Sequence, residues 1–292
     1  QFVMANMVGT LIDAEICWEV NWRTVEQLSI PGLFVVGVPN LETVRKGEAP
    51  RHGSVLSQTL CPTRAVEQIL YSHGVRNTRY IGHGFGRPLT DTDINEKVGR
   101  MQEREVIRFL HIGGHNPKSR KQTTYVIEAF LLALEQRNDI RLTVTVMDTQ
   151  NIDFPRHENI DYVIGSLGHD EVMGLYEACD VSIQVSSHEG VGMGFYESLA
   201  KGPPVISLDV PPHNEVVLHR LTGWLLKADL VPLPDNDDPV SRAARFDARE
   251  LAGLIVSLEK EEVAAMIHSA AKVHGERFDD VSLKLRLFEA LP

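Results

Sequence analysis

The sequence predicts an α/β protein with parallel sheets divided between two domains, on three observations. Short aliphatic runs such as 33–38 and 205–208 alternate with longer segments whose apolar residues recur at helical spacing, the pattern of a parallel sheet with helices on its faces. The 292 residues suffice for two ordinary domains. The stretch 180–206 reads as strand, glycine-rich loop, helix and strand, with Asp180 to Val185 as a buried strand and Phe195 to Lys201 as a helix stopped by Gly202, Pro203 and Pro204. Free N–H groups and the positive end of the helix dipole converge on such a loop, a seat for a phosphate or a polyol.

Composition narrows the function. A formal charge of −11 argues against a nucleic-acid partner, because neutralising phosphates needs a basic face. With 43% apolar and 24% charged residues the chain suits a globular fold, and no apolar run reaches the length of about 20 that a membrane helix needs. The 3 cysteines are far apart and the 12 histidines form no HExxH, so reduced thiols, a cytoplasmic setting and no metal site are expected.

Taken in order, the chain opens at Gln1 without a glycine-rich first loop, which reads as a start partway through a domain. A short helix is expected over 21–28, with Trp18, Val25 and Leu28 on one face. Strands follow at 33–38, 54–60 and 79–81, with a helix from Pro62 to Gly74 between the last two, striped by Val66, Ile69 and Leu70. The breaker-rich 82–92 and polar 93–105 read as the connection between domains, with His83 as a hinge residue. Strand 108–112 ends in Gly113 and Gly114; a helix over 123–135 and strands at 141–147 and 161–164 follow. A helix over 170–179, striped by Val172, Leu175, Tyr176 and Cys179, leads into the central stretch. Beyond it come strand 205–208, a surface loop over 229–239 and helices over 248–258, 261–274 and 281–291, with a break at 275–280.

In the central loop Glu189 and Glu197 stand with seven residues between them, as E-G-V-G-M-G-F-Y-E-S-L-A-K-G-P-P-V-I. This resembles the signature of the retaining GT-B glycosyltransferases of family 4 (glycosyl transferases group 1), E-G-F-G-L-P-x-x-E-A-M-A-x-G-x-P-V-I. The likeness covers about 106–291 well and 33–88 more loosely. It implies a GT-B fold with two Rossmann-like domains: a partial acceptor-side domain at 1–92, a linker at 93–105, a donor domain at 106–275 and a helix at 276–292 crossing back.

It also implies roles residue by residue. Glu197 would accept hydrogen bonds from ribose hydroxyls, which suits a carboxylate's several lone pairs, and Glu189 would contact the donor sugar near its reacting carbon. Gly190, Val191, Gly192 and Met193 would hold sugar hydroxyls and the distal phosphate, and Leu167 would lie by the base. Lys121, with Lys118 and Arg120, falls in the family's R-x-x-x-x-K-G pattern and would stabilise the leaving diphosphate. Two departures stand out: Gly114 where arginine is usual and Gln122 in place of glycine.

The implied reaction is transfer from a UDP- or GDP-linked sugar to an acceptor hydroxyl with retention, requiring no metal or other cofactor. A glycan, a lipid-linked glycan or a protein are all open as acceptor, as is membrane contact through a preceding segment. Two other readings stay open: a degenerate GT-B module that binds nucleotide or glycan without turnover, and a GT-B sugar-nucleotide 2-epimerase.

Overall fold

The computed structural model describes residues 14–18, 34–38, 56–114, 117–147, 154–232 and 242–290, with backbone alone for 14–18, 34 and 35. The expected helix over 21–28 lies outside them. The chain divides into two compact units, one of 1–83, 189–191 and 283–292, the other of 84–188 and 192–282.

The first unit holds a parallel sheet in the order β1 (Ala14–Trp18), β2 (Phe34–Val38), β3 (Gln58–Cys61), β4 (Thr78–Tyr80). β1 is a strand that the sequence reading left out. Helix α1 (Arg64–Ser72) crosses from β3 to β4, with the Thr63 side chain accepting from the Val66 N–H at 3.1 Å as its N-cap. Val36, Val38, Leu60 and Ile81 form the core, completed by Ala290 with Leu283 and Leu287 beside it.

The second unit is a six-stranded parallel sheet of β5 (Ile107–Ile112), β6 (Ile140–Val146), β7 (Ile160–Ile164), β8 (Val181–Ile183), β9 (Val205–Leu208) and β10 (Gly223–Leu226). Their spatial order is β10-β9-β8-β5-β6-β7. The chain starts in the middle with β5, winds outward through β6 and β7, then returns to lay β8 against the other side of β5. This reversal makes the carboxyl ends of β5 and β8 a topological switch point, where loops leave in opposite directions and open a crevice. The central strands β8 and β9 are buried along their whole length, and in the core Phe109 of β5 meets Phe130 edge to face at 5.6 Å.

Three stretches differ from expectation. Within 93–105, read as a connection, residues are helical to Gln102: α2 (Asp91–Gln102) starts with a capping box in which Asp93 accepts from the Thr90 N–H at 2.8 Å and donates its own N–H to Thr90 Oγ1 at 3.2 Å. Its buried stripe is Ile94, Lys97 and Met101, and a lysine in the middle position hid it. The loop expected over 229–239 begins as β11 (Asp229–Pro232), which pairs antiparallel with β12 (Arg242–Arg245). The break expected at 275–280 shrinks to Phe278 and Asp279, because α8 (Lys260–Arg277) continues through Gly275, where a Cβ would meet Pro88 at 3.2 Å.

Helices α3 (Thr123–Leu134), α4 (His169–Ala178), α5 (Met193–Lys201), α6 (His213–Val216), α7 (Ala248–Ser257) and α9 (Asp280–Ala290) complete the described elements. Lys97 of α2 caps the end of α4, its ammonium donating to the carbonyls of Tyr176 at 3.3 Å, Glu177 at 3.0 Å and Cys179 at 2.8 Å. These are orphan carbonyls of a helix end, satisfied without water because Lys97 is only 3% exposed. Burial lowers the Lys97 pKa, so the ammonium depends on those acceptors. Lys97→Met keeps the volume but strands three carbonyls, which outweighs relief from a buried charge; urea unfolding should show a loss of about 2 kcal/mol.

Candidate functional site

At the switch point β5 ends in two glycines, each required for its own reason. A Cβ at Gly113 would lie 2.6 Å from the Thr145 carbonyl oxygen, and Gly114 takes φ +57° in open space. Before them stands His111, a polar residue in a buried strand. Its Nδ1 lies 2.9 Å from the Ile183 carbonyl oxygen and its Nε2 2.9 Å from Thr123 Oγ1. A carbonyl only accepts, so the proton sits on Nδ1 and the Thr123 hydroxyl donates to Nε2. Complete burial, with the Lys121 charge adding, pushes the imidazole down to about 4, against the Ile183 hydrogen bond.

The loop into α3 is tied to the exit of β8. Gln122 takes φ +54° and ψ +30°, a left-handed conformation that favours glycine. That geometry accounts for the glycine in the family pattern; here glutamine fills the position, and its Nε2 donates to the Val185 carbonyl at 2.7 Å. Lys121 Nζ donates to Ser186 Oγ at 3.1 Å, and the Ser187 N–H to the Arg120 carbonyl at 2.7 Å. Lys118 is exposed and Arg120 half-buried.

Gly192 opens α5 with φ +76°, and a Cβ there would collide with the Phe195 ring at 2.3 Å. Met193 is exposed at the first turn, and Glu197 is half-buried one turn on. Burial raises the Glu197 pKa, opposed by the charges of His169 and Lys121 and by a hydrogen bond from the Tyr176 hydroxyl. The charge of Lys121, in the loop before α3, thus reaches Glu197 on α5. Leu167 stands half-buried after edge strand β7, with β6 and β5 between it and β8.

Glu189, Gly190 and Val191 cluster instead with the first unit, where the Thr63 hydroxyl donates to the Gly190 carbonyl at 3.5 Å. The sequence reading missed His111, Ser186, Tyr176 and Gln184 as site residues. Polar residues inside strands expected to be buried on both faces were the available signal for His111 and Gln184; Tyr176 was hidden in an apolar stripe.

Residues 107–236 match the family model described as glycosyl transferases group 1. The resemblance carried by Glu189 to Ile206 is thereby borne out, and the fold is of the GT-B type. Over 78 residues the chain is 32% identical to the UDP-N-acetylglucosamine--peptide N-acetylglucosaminyltransferase GtfA subunit of Streptococcus agalactiae, a match spanning 26% of this chain and 15% of that protein. HepE of Anabaena, solved with UDP and glucose, is similar over 94% of this chain and 77% of its own, with a TM-score of 0.65 at 16% identity. The pneumococcal O-GlcNAc transferase GtfA, solved with UDP and GlcNAc, is similar over 91% of this chain and 53% of its own, with a TM-score of 0.64 at 12% identity.

Two measurements follow from these polar ties. Gln122→Ala keeps the left-handed backbone and loses the bond to Val185, so it should destabilise by about 2 kcal/mol, whereas Gln122→Gly loses the same bond but relieves strain of about 1 kcal/mol, so thermal unfolding should show a loss of only about 1 kcal/mol. For His111, the unfolded imidazole protonates near 6.5 and the folded one near 4. Between those values unfolding takes up a proton, so stability should fall with pH from about 6.5 towards 4, by at most ~1.4 kcal/mol per pH unit. Urea unfolding across that range should give a shallower slope for His111→Asn.

Proposed function

We propose that the protein is a glycosyltransferase that moves a sugar from a nucleotide diphosphate to an acceptor hydroxyl with retention of configuration. The observation that carries this reading is a cation, Lys121, held on Ser186 past the end of β8 with its charge reaching the half-buried carboxylate of Glu197, in a parallel-sheet unit whose segment 107–236 matches the group 1 family. A carboxylate accepts from a ribose diol, and a lysine meets a diphosphate; one ligand needs both. UDP is the first candidate for the nucleotide, since the solved structures it resembles include complexes with UDP.

In this reading the second unit receives the donor. Glu197 holds the ribose and Leu167 borders the base; Gly113 and Gly114 let the phosphates approach the backbone, where Lys121, with Lys118 and Arg120, meets their charge. Gly190, Val191, Gly192 and Met193 present backbone groups to the sugar and distal phosphate, with Glu189 beside the reacting carbon, and the first unit serves the acceptor. The bond from the anomeric carbon to the phosphate oxygen breaks as the bond to the acceptor oxygen forms on the same face. That phosphate oxygen takes the acceptor's proton, so charge and atoms balance without a metal.

One feature favours a binding module without turnover: Gly114 brings no side chain where the family pattern has arginine. Release of UDP from a UDP-sugar, including by slow hydrolysis, distinguishes an enzyme from such a module. Calorimetric titration with UDP and GDP should show one of them binding, with affinity weakened by about 1–3 kcal/mol in Glu197→Ala and in Lys121→Ala. A folded protein that binds neither would overturn the donor assignment.

A further inference from the structure

Behind Glu197 lies a buried chain of hydrogen bonds that none of the roles above uses. Gln184, just past the end of β8, donates through Nε2 to Ser182 Oγ at 3.1 Å and to the Tyr176 hydroxyl at 3.1 Å. Tyr176 is fully buried on α4. With its oxygen already accepting from Gln184, its single proton is directed to the Glu197 carboxylate. Gly194, one turn before Glu197, keeps the chain open: a Cβ there would stand 3.1 Å from both Gln184 Oε1 and the Tyr176 hydroxyl oxygen.

We propose that Tyr176 is a positioning residue, whose hydroxyl, oriented by Gln184, holds the Glu197 carboxylate in place to receive a ribose diol. The inference rests on the donor-site reading and deepens it. With its oxygen accepting from the Gln184 amide, the buried Tyr176 hydroxyl still has one proton to place, and a carboxylate that takes it from behind keeps lone pairs free for a ligand in front. The other charged groups facing Glu197 are His169 of α4 and Lys121 of the loop before α3. Lys201, one turn further along α5, is engaged with Glu177 at 2.6 Å.

The test is UDP titration of the full chain as wild type, Tyr176→Phe, Glu197→Ala and the double variant, repeated over a series of falling pH values, because burial raises the Glu197 carboxyl above its ordinary value. Tyr176→Phe should weaken UDP about tenfold, the scale of one hydrogen bond to a charged group. The double variant should bind no worse than Glu197→Ala, because Tyr176 acts through that carboxylate. Affinity should fall as pH drops and Glu197 protonates, and the midpoint should move to higher pH in Tyr176→Phe. Gly194→Ala, which crowds the same relay, should move it the same way. Carbon-13 titration of the Glu197 carboxyl reads that shift without nucleotide. Unchanged UDP affinity in Tyr176→Phe, losses that multiply in the double variant, or an unmoved Glu197 titration would each overturn the inference and leave the donor site standing. If Glu197→Ala binds UDP as tightly as wild type, the donor-site reading fails and the role of Tyr176 with it.

Discussion

The second unit depends on how the exit of β8 is held to its neighbour β5. Past the last ladder bond, the carbonyls of a central strand have lost their sheet partners but remain buried, and each needs a donor. His111 supplies one to Ile183 and Gln122 one to Val185, while Lys121 reaches the hydroxyl of Ser186. All three donors come from β5 or the residues just before α3, so the crevice is framed by polar side chains that tie its two rims together. In a low-dielectric setting such bonds are strong when complete and costly when one is missing. A neutral His111 suits this place, since a charged imidazole beside Lys121 would repel it.

A second line of support reaches the same crevice from the opposite side. Lys97 on α2 clamps the carbonyl end of α4, and one of the three carbonyls it holds belongs to Tyr176, whose hydroxyl meets Glu197. Arg104, just past α2, adds a bond of 2.7 Å to the buried Asp180 at the start of β8. A helix far from the crevice in sequence thus fixes the backbone from which a site side chain projects. The short ribbon of β11 and β12 makes a third tie, through the Ala244 N–H, which donates to the Ser187 carbonyl at 2.6 Å.

Low identity with the solved structures it resembles is what this construction allows. Strands covered on both faces accept many aliphatic sequences at similar volume, so 16% identity is compatible with a TM-score of 0.65. The crevice is stricter, because its glycines answer to backbone geometry: Gly113 to a carbonyl, Gly192 to an aromatic ring and a left-handed φ. Gln122 shows the tolerance that remains, a left-handed backbone kept by a side-chain bond where glycine would need none.

The sequence by itself determined the α/β class, the parallel strands of the second unit and the strand-loop-helix around Glu189 and Glu197, because aliphatic runs, helical stripes and glycine stops are local signals. It could not reveal α2, whose stripe includes a lysine that looks solvated until three carbonyls from another helix surround it. Nor could it reveal β1, five residues made a strand by pairing with β2, or β11, whose partner lies beyond a proline- and aspartate-rich stretch. Tertiary structure alone decided that Tyr176 and Gln184 stand behind Glu197 and that Lys121 faces it, since spacing along the chain carries no record of which carbonyls a fold leaves in need of donors.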